Sequence, residues 1–203
     1  MALADSLVVL DFETSGMSPD YGDRAIEIGA VRLEKGVVVD EFQALMNPGF
    51  RVSGFIESFT GISNQMLAKA PPCEQVMLQF ADFLGDTNLL AHNASFDKRF
   101  LDSEMKFIKR AYQGQFCCSM LVSRRVFQDA PNHKLGTLVN YVNLPVDGQF
   151  HRALYDAQMT SGIWLSMLEK IRTDYACHEL SFATMRKLSR VSKKKVAGFL
   201  ASI

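Results

Sequence analysis

Residues 7–16, with the sequence LVVLDFETSG, limit most strongly what this chain can fold into. The four leading apolar residues predict a strand that is buried on both faces and ends near Asp11. Asp11 and Glu13, with Phe12 between them, would then point to one side of the chain, about 7 Å apart. Because like charges in a low dielectric are costly, this pair requires a neutralising partner.

The rest of the chain predicts two more strands, followed by helices that alternate with short strands. Residues 24–48 predict two antiparallel strands joined by a turn at 34–36. Beyond them, apolar residues recur at three- and four-residue steps, as in helices packed on a core. Helices are predicted over 76–84, 95–107, 119–127, 133–142 and 152–171, and short strands over 88–92 and 114–119. This order predicts an α/β fold with a mixed central sheet flanked by helices.

Composition favours one globular domain with a small appendage, since the 203 residues are 48% hydrophobic and 22% charged. The apolar runs are too short to span a bilayer, and the opening MALADS lacks the basic start of a signal peptide. We therefore expect a soluble, cytoplasmic protein with no membrane partner. Adjacent Cys117 and Cys118 cannot pair with each other in ordinary disulfide geometry, and all four cysteines are expected to be reduced.

Charge is unevenly distributed, although the net charge is zero. Residues 1–60 hold ten acidic and four basic side chains, whereas residues 180–203 hold six basic and no acidic ones. We predict that residues 176–203 form a basic helical extension that guides a polyanion. The alternatives are a solvated helix face, or a docking segment for a partner or for a second copy of the chain.

Two further segments place charge where apolar elements begin or end. In AHNASFD, residues 91–97, a short strand runs into His92, and Asp97 opens the next helix. In HRALYDA, residues 151–157, Asp156 lies in the first turns of the longest helix. On one helix, His151 and Asp156 would be about 140° apart. We therefore expect His151 in the preceding loop, reaching toward Asp156, where a histidine can move protons.

These residues form a candidate metal site of four carboxylates and one histidine: Asp11, Glu13, Asp97, Asp156 and His151. Carboxylates that converge in a buried cleft repel one another unless divalent cations bind, and oxygen ligands select Mg²⁺ or Mn²⁺. Two such ions about 4 Å apart would stabilise both oxygens of a phosphodiester displacement.

Each residue also has a structural interpretation. Asp11 could cap the following turn, Glu13 could pair with Arg24, and Asp97 could favour a helix N-terminus. Asp156 and His151 could be ordinary surface residues, and His92 a core histidine. Periodicity alone does not show that these segments meet in space.

The motifs DFETSG, HNASFD and HRALYDA resemble, in order and spacing, the three exonuclease motifs of the DEDD superfamily. The His-x4-Asp form of the third motif is similar to that of the DEDDh branch, which includes the polymerase III proofreading subunit and ribonuclease T. The resemblance extends over residues 6–172 and includes FTGISNQMLAKAPP. It implies a ribonuclease H-like fold over residues 1–175 and two-metal 3′→5′ hydrolysis of nucleic acid ends that releases nucleoside monophosphates.

The resemblance also implies roles for individual residues. Asp11, Glu13 and Asp156 would hold the nucleophile-side metal, Asp11 would bridge to the second, and Asp97 would contact that second ion. His151 would act as general base on the attacking water.

By the same resemblance, four residues would contact the terminal nucleotide: Phe12, Thr14, His92 and Phe96. The two phenylalanines could stack on bases, with core packing as the alternative. Phe12 is larger than the residue that some relatives carry between the two acids.

The resulting hypothesis is a stand-alone, metal-dependent 3′→5′ exonuclease acting on single-stranded DNA or RNA. The alternatives are a proofreading subunit bound to a polymerase, a phosphodiesterase for short oligonucleotides, and a non-catalytic nucleic-acid-binding protein. The intact five-residue set argues against the last. A homodimer, the choice between DNA and RNA, and the choice between Mg²⁺ and Mn²⁺ stay open.

Overall fold

The computed structural model describes residues 2–146, 148, 151–177 and 179–203. These residues form five strands: β1 (Leu7–Thr14), β2 (Ala25–Glu34), β3 (Val37–Leu45), β4 (Leu89–Ala91) and β5 (Phe116–Cys118). The same residues form nine α-helices: α1 (Gly54–Thr60), α2 (Asn64–Lys69), α3 (Cys73–Leu84), α4 (Ser95–Phe107), α5 (Ser119–Val126), α6 (Leu135–Tyr141), α7 (Ala153–Tyr175), α8 (Phe182–Leu188) and α9 (Val196–Leu200).

The strands make one sheet in the order β3-β2-β1-β4-β5, with β1 at its centre. β1 pairs antiparallel with β2 and parallel with β4, while β2–β3 is antiparallel and β4–β5 is parallel. Helices pack on both faces of this sheet. The predicted α/β fold with a mixed central sheet is therefore confirmed.

β1 continues beyond the position predicted for its end. It pairs with β2 through Asp11, Phe12, Glu13 and Thr14, with a register shift only after Glu13. The prediction that the strand ends near Asp11 was wrong, because β2 offers backbone partners to three further residues. Both carboxylates are consequently held by the sheet rather than by a loop.

Alternate residues of β1 enter two different cores. The even-numbered apolar residues lie in a core formed with α3 and α4. Leu7 and Val9 lie in a second core, which contains the fully buried Trp164 of α7. Asp11 and Glu13 continue the alternation of Leu7 and Val9, so their side chains face α7.

The basic C-terminal segment is part of the second core. The chain termini are joined by an isolated bridge between Leu3 and Ser181, and the N–H of Ala4 donates to the carbonyl of Leu180 at 2.8 Å. Six side chains of this segment are buried with Trp164: Leu180, Phe182, Met185, Leu188, Val196 and Leu200. The apolar side chains of the basic segment therefore belong to the same core as α7.

None of the helices in the described ranges could span a membrane. All four cysteines are free thiols, and Cys73 and Cys117 are buried. Burial raises the pKa of both of these thiols to about 12, so they are protonated and unreactive at neutral pH.

Candidate active site

Four carboxylates meet where β1 reaches its C-terminal end. Asp11 and Glu13 come from β1, Asp97 from the first turn of α4, and Asp156 from the first turn of α7. Asp97 Oδ1 accepts a hydrogen bond from the backbone N–H of Phe12 at 3.1 Å, which ties α4 to a strand 85 residues earlier. The structure thus brings together the four acidic residues that the sequence singles out.

Burial and mutual repulsion shift the acidity of all four groups. Burial, with the charges of Asp97, Asp156 and Glu13, raises the pKa of Asp11 well above its usual range. Burial and the charge of Asp156 raise the pKa of Glu13 to about 8. Burial raises the pKa of Asp97 to about 7 and that of Asp156 to about 6, against hydrogen bonds from backbone N–H groups. Without a cation, the cluster therefore retains protons near neutral pH.

His151 lies in the loop before α7, close to Asp156. Its backbone N–H donates to Asp156 Oδ2 at 3.0 Å, and its φ of 66° is in the left-handed region. Its ring centroid is 4.1 Å from that of Phe59. These contacts hold the exposed imidazole at the rim of the carboxylate cluster.

The cluster fits a divalent metal ion. Glu13, His151 and Asp156 each offer a ligand atom, and these atoms all lie within 4.8 Å of one another. Asp156 Oδ1 is buried and has no hydrogen-bond partner within the described ranges, which leaves an acceptor available to a cation. Carboxylate oxygens are the ligands that Mg²⁺ and Mn²⁺ prefer.

A further carboxylate beside the cluster, the fully buried Glu27 of β2, holds the start of α7, and the sequence reasoning missed it. The Arg152 guanidinium donates to both of its oxygens, at 2.7 and 3.1 Å. The N–H of Ala153, the first residue of α7, donates to the same carboxylate at 3.1 Å, and Gln43 donates at 3.0 Å. Because His151 directly precedes Arg152, this ion pair fixes the chain beside the histidine.

Close packing of α7 on β2 depends on Gly29. A Cβ at this position would lie 2.0 Å from the backbone nitrogen of Leu154 and 2.2 Å from the carbonyl carbon of Ala153. Only glycine permits this approach. The first turn of α7, which carries Asp156, therefore sits directly on the sheet that carries Glu13.

Two alternative roles, a pair between Glu13 and Arg24 and a turn cap by Asp11, are not found among the residues that the structure describes. Arg24 pairs with Glu104, at 2.8 Å for each of two hydrogen bonds, and with Glu74 at 3.1 Å, rather than with Glu13. The turn after β1 is held by Asp23, whose carboxylate accepts from the N–H of Ser18 at 3.0 Å. The Arg24 ion pairs and the turn after β1 therefore use carboxylates outside the cluster.

An aromatic cavity of about 420 Å³ adjoins the cluster at Glu13. Phe12, Thr14 and Phe96, for which the family resemblance implies nucleotide contacts, are in its wall. Phe12 is nearly fully buried and packs edge-on against Phe80, so most of its ring belongs to the core. The complete lining is Phe12, Glu13, Thr14, Ser15, Gly16, Met17, Ser53, Phe55, Ile56, Phe59, Thr60 and Phe96.

Three exposed apolar side chains of this cavity were missed. Met17 is 75%, Phe55 71% and Phe59 50% exposed. The rings of Phe55 and Phe59 are stacked in α1, with centroids 5.7 Å apart and an interplanar angle of 13°. The signal for them was two aromatics four residues apart in a short helix after Ser53, whose hydroxyl caps the helix by accepting from Ile56 N–H.

His92 is not in the lining of this cavity, although the family resemblance implies that it lines the same pocket as Phe96. Its two ring nitrogens contact Ser119 Oγ at 2.8 Å and the carbonyl of His133 at 2.9 Å. Burial lowers its pKa to about 4, so the ring is neutral at physiological pH. In the structure, His92 joins the end of β4 to the start of α5 and to the loop before α6.

The chain belongs to the exonuclease family RNase_T, whose family model matches residues 8–164. This result confirms the family resemblance inferred from the three motifs.

Two curated relatives are longer proteins, and this chain matches one segment of each. The chain is 37% identical over 171 residues to the PolC-type DNA polymerase III of Caldanaerobacter subterraneus, which covers 84% of the chain and 12% of that protein. It is also 37% identical over 189 residues to the 3′-5′ exonuclease DinG of Bacillus subtilis, covering 92% of the chain and 19% of that protein. The chain therefore spans less than a fifth of the length of either relative.

Solved structures share the fold. Exonuclease X in complex with 5′ overhanging duplex DNA matches with a TM-score of 0.71 at 23% identity, over 90% of this chain and 99% of that one. The nuclease domain of 3′hExo, a DEDDh family member bound to rAMP, matches with a TM-score of 0.69 at 22% identity, over 81% and 92%.

Proposed function

We propose that this chain is a metal-dependent 3′→5′ exonuclease that releases nucleoside monophosphates from single-stranded DNA or RNA. The observation that carries the proposal is the meeting of four carboxylates with raised pKa values beside an aromatic cavity. Family membership over residues 8–164 supports the reaction class, and the DinG relative supports the direction.

Asp11, Glu13, Asp97 and Asp156 would hold two divalent cations, Mg²⁺ or Mn²⁺. When bound, the cations would supply charge stabilisation to the phosphodiester and to the oxygens that enter and leave during displacement. The carboxylates of this chain give up their protons to receive them, which is why their raised pKa values suit the role.

His151 would act as general base, accepting a proton from the attacking water on a ring nitrogen. Its backbone bond to Asp156 and its contact with Phe59 hold the ring at the cluster. Because the residue is exposed, the proton can pass on to solvent. The Glu27–Arg152 ion pair holds the backbone that follows.

The aromatic cavity would take the terminal nucleotide. Bases stack on aromatic side chains whatever their sequence, which suits an enzyme that removes every nucleotide in turn. Phe59 contacts both the cavity and His151, so a base stacked there would lie beside the reacting groups. Thr14 donates its hydroxyl to Gly16 O at 2.6 Å and so shapes the wall of the cavity.

The test uses single-stranded DNA and RNA of equal sequence, each labelled at the 5′ end. The protein is incubated with Mg²⁺, Mn²⁺ or EDTA, beside the variant Asp11→Ala. We expect a metal-dependent ladder that shortens from the 3′ end and is absent in the variant, and the faster ladder names the substrate. Binding without shortening under any metal would overturn the proposal in favour of a non-catalytic protein.

A second candidate, proofreading for a DNA polymerase, is favoured by the likeness to PolC-type polymerases. A proofreading module should remove a mismatched 3′ nucleotide from a primer faster than a paired one. Equal rates on the two primer ends, with faster rates on free single strands, would favour the stand-alone activity.

A further inference from the structure

Two clefts adjoin the carboxylate cluster, one at Glu13 and the other at His151 and Asp156, and their linings differ in charge. The lining of the aromatic cavity contains no basic residue. The second cleft, of about 520 Å³, contains His151 and Asp156 together with Lys134, whose side chain is exposed. A strand that passes from the cluster into the second cleft therefore meets the positive charge of Lys134.

Further positive charges follow in the same direction. His133, next to Lys134, lies close to Arg124, Lys193 and Arg125: burial lowers the pKa of His133, and these three charges lower it further. His133 Nδ1 also contacts Ser123 Oγ at 3.1 Å, which places the loop before α6 against α5. The C-terminal basic segment is therefore a neighbour of the loop before α6, which carries Lys134.

The basic segment is fixed in this position. Arg125 Nε donates to the carbonyl of Val191 at 3.0 Å, and Gln128 donates to that of Lys193 at 3.4 Å. Together with Lys170, the side chains of Arg125, Lys193 and Lys194 line a groove of about 420 Å³. Two acids share the groove, Asp129 and Asp174, and Asp174 already pairs with Lys170.

We propose that Lys134, Arg124 and Lys193–Lys195 form a track for the phosphates upstream of the nucleotide that is removed. The inference rests on the proposed function and adds a direction to it: the 3′-terminal nucleotide occupies the aromatic cavity, and the chain leaves past Lys134 toward α5 and the basic segment.

The lysines of the basic segment have the properties that phosphate binding requires. Lys193, Lys194 and Lys195 are exposed, and none of them forms a salt bridge with a described residue. The apolar side of the segment is buried in the core, so the lysines are what it presents to solvent. Free cations on a rigid support bind a polyanion by releasing its counterions.

With this track, the protein should prefer a longer strand to a dinucleotide as its substrate. A dinucleotide fills only the cavity and the cluster, whereas a longer strand also gains the contacts of the track. Removing the track should therefore weaken the binding of long substrates and leave the hydrolysis of a dinucleotide unchanged.

The experiment compares two triple variants with equal loss of charge. The first is Lys193→Gln with Lys194→Gln and Lys195→Gln. The matched control is Lys69→Gln with Lys106→Gln and Lys109→Gln, which are exposed lysines outside the track. Binding of a labelled 20-nucleotide single strand is measured by fluorescence anisotropy in EDTA from 50 to 200 mM salt, and hydrolysis of the 20-mer and of a dinucleotide is measured with metal.

We expect the track variant to lower the slope of log affinity against log salt by about 2, since three single-strand phosphate contacts are lost. Between 50 and 200 mM salt, the wild type should then lose about 20-fold more affinity than the variant. A slope equal to that of the control, or an equal loss on the dinucleotide, would overturn the track. Because binding is measured without metal, a wild type that binds but does not cleave would count against the proposed function alone.

Discussion

The ion pair between Arg152 and Glu27 should contribute more to stability than any exposed ion pair of this protein. Among the described residues, the substitution Arg152→Ala leaves the Glu27 carboxylate, which is 0% exposed, with Ala153 N–H and Gln43 as its remaining donors. Breaking a buried pair by removing one partner costs about 3 to 5 kcal/mol of unfolding free energy. The Arg152 side chain is 36% exposed, so water reaches part of the site. We therefore expect the lower end of the range, about 3 kcal/mol.

The matched control is Arg110→Ala, which removes an ion pair with Asp82 whose side chains are 53% and 74% exposed. Exposed pairs of this kind contribute below about 1 kcal/mol. Arg152→Lys should fall between the two, because an ammonium group keeps the charge but lacks the planar pair of N–H donors with which the guanidinium contacts both Glu27 oxygens.

The measurement is urea unfolding of the wild type and the three variants, at one pH and in EDTA so that metal binding does not contribute. Equal m-values would show that the variants expose the same surface on unfolding. If Arg152→Ala and Arg110→Ala lose unfolding free energy within 1 kcal/mol of each other, Glu27 does not depend on Arg152, and the account of how α7 is held is wrong.

Three further predictions concern the cluster, the cavity and the sheet. In EDTA, the unfolding free energy should fall as pH rises from about 4.5 to about 8, because Glu13 keeps its proton in the folded state up to a pKa of about 8 but loses it near 4.5 when unfolded. Glu13→Gln should flatten this fall in denaturant titrations at pH 5 and pH 8, and an unchanged slope would contradict the assignment. Phe59→Ala should raise the KM for a dinucleotide about 5- to 150-fold, since stacking of one base contributes about 1 to 3 kcal/mol, and an unchanged KM would exclude Phe59 from the substrate site. Gly29→Ala should lower the free energy of unfolding by about 3 kcal/mol or more, because its Cβ would overlap the backbone of Leu154. Gly54→Ala, which has open space around it, is the control, and equal effects in the two variants would contradict the close contact.

The sequence predicts local features of the site well. Alternation along β1 places Asp11 and Glu13 on one face, and the 140° argument places His151 before the helix that carries Asp156. The meeting of these residues with Asp97 depends on contacts between distant segments, such as the bond from Phe12 N–H. Periodicity carries no information on such contacts, so the family motifs were needed to predict them.

Other parts of the site could not be read from local patterns. Glu27 lies in a strand, where a charged residue ordinarily indicates a solvent-facing position, and its burial follows only from the packing of α7 on β2. Phe55 and Phe59 would be expected in a core, yet they project from α1 at the cavity. In the C-terminal segment, apolar residues at helical spacing predict a buried face, but the spacing does not show that this face joins the core around Trp164.

The most direct test of the account is calorimetric titration of the protein with Mn²⁺ near pH 6.5, beside Asp11→Asn. The wild type should bind Mn²⁺ and release protons, which appears as a heat that depends on the ionisation enthalpy of the buffer. The variant should bind much more weakly. If the wild type binds no metal, or if Asp11→Asn binds equally well, the carboxylate cluster is not a metal site and the proposed catalysis fails with it.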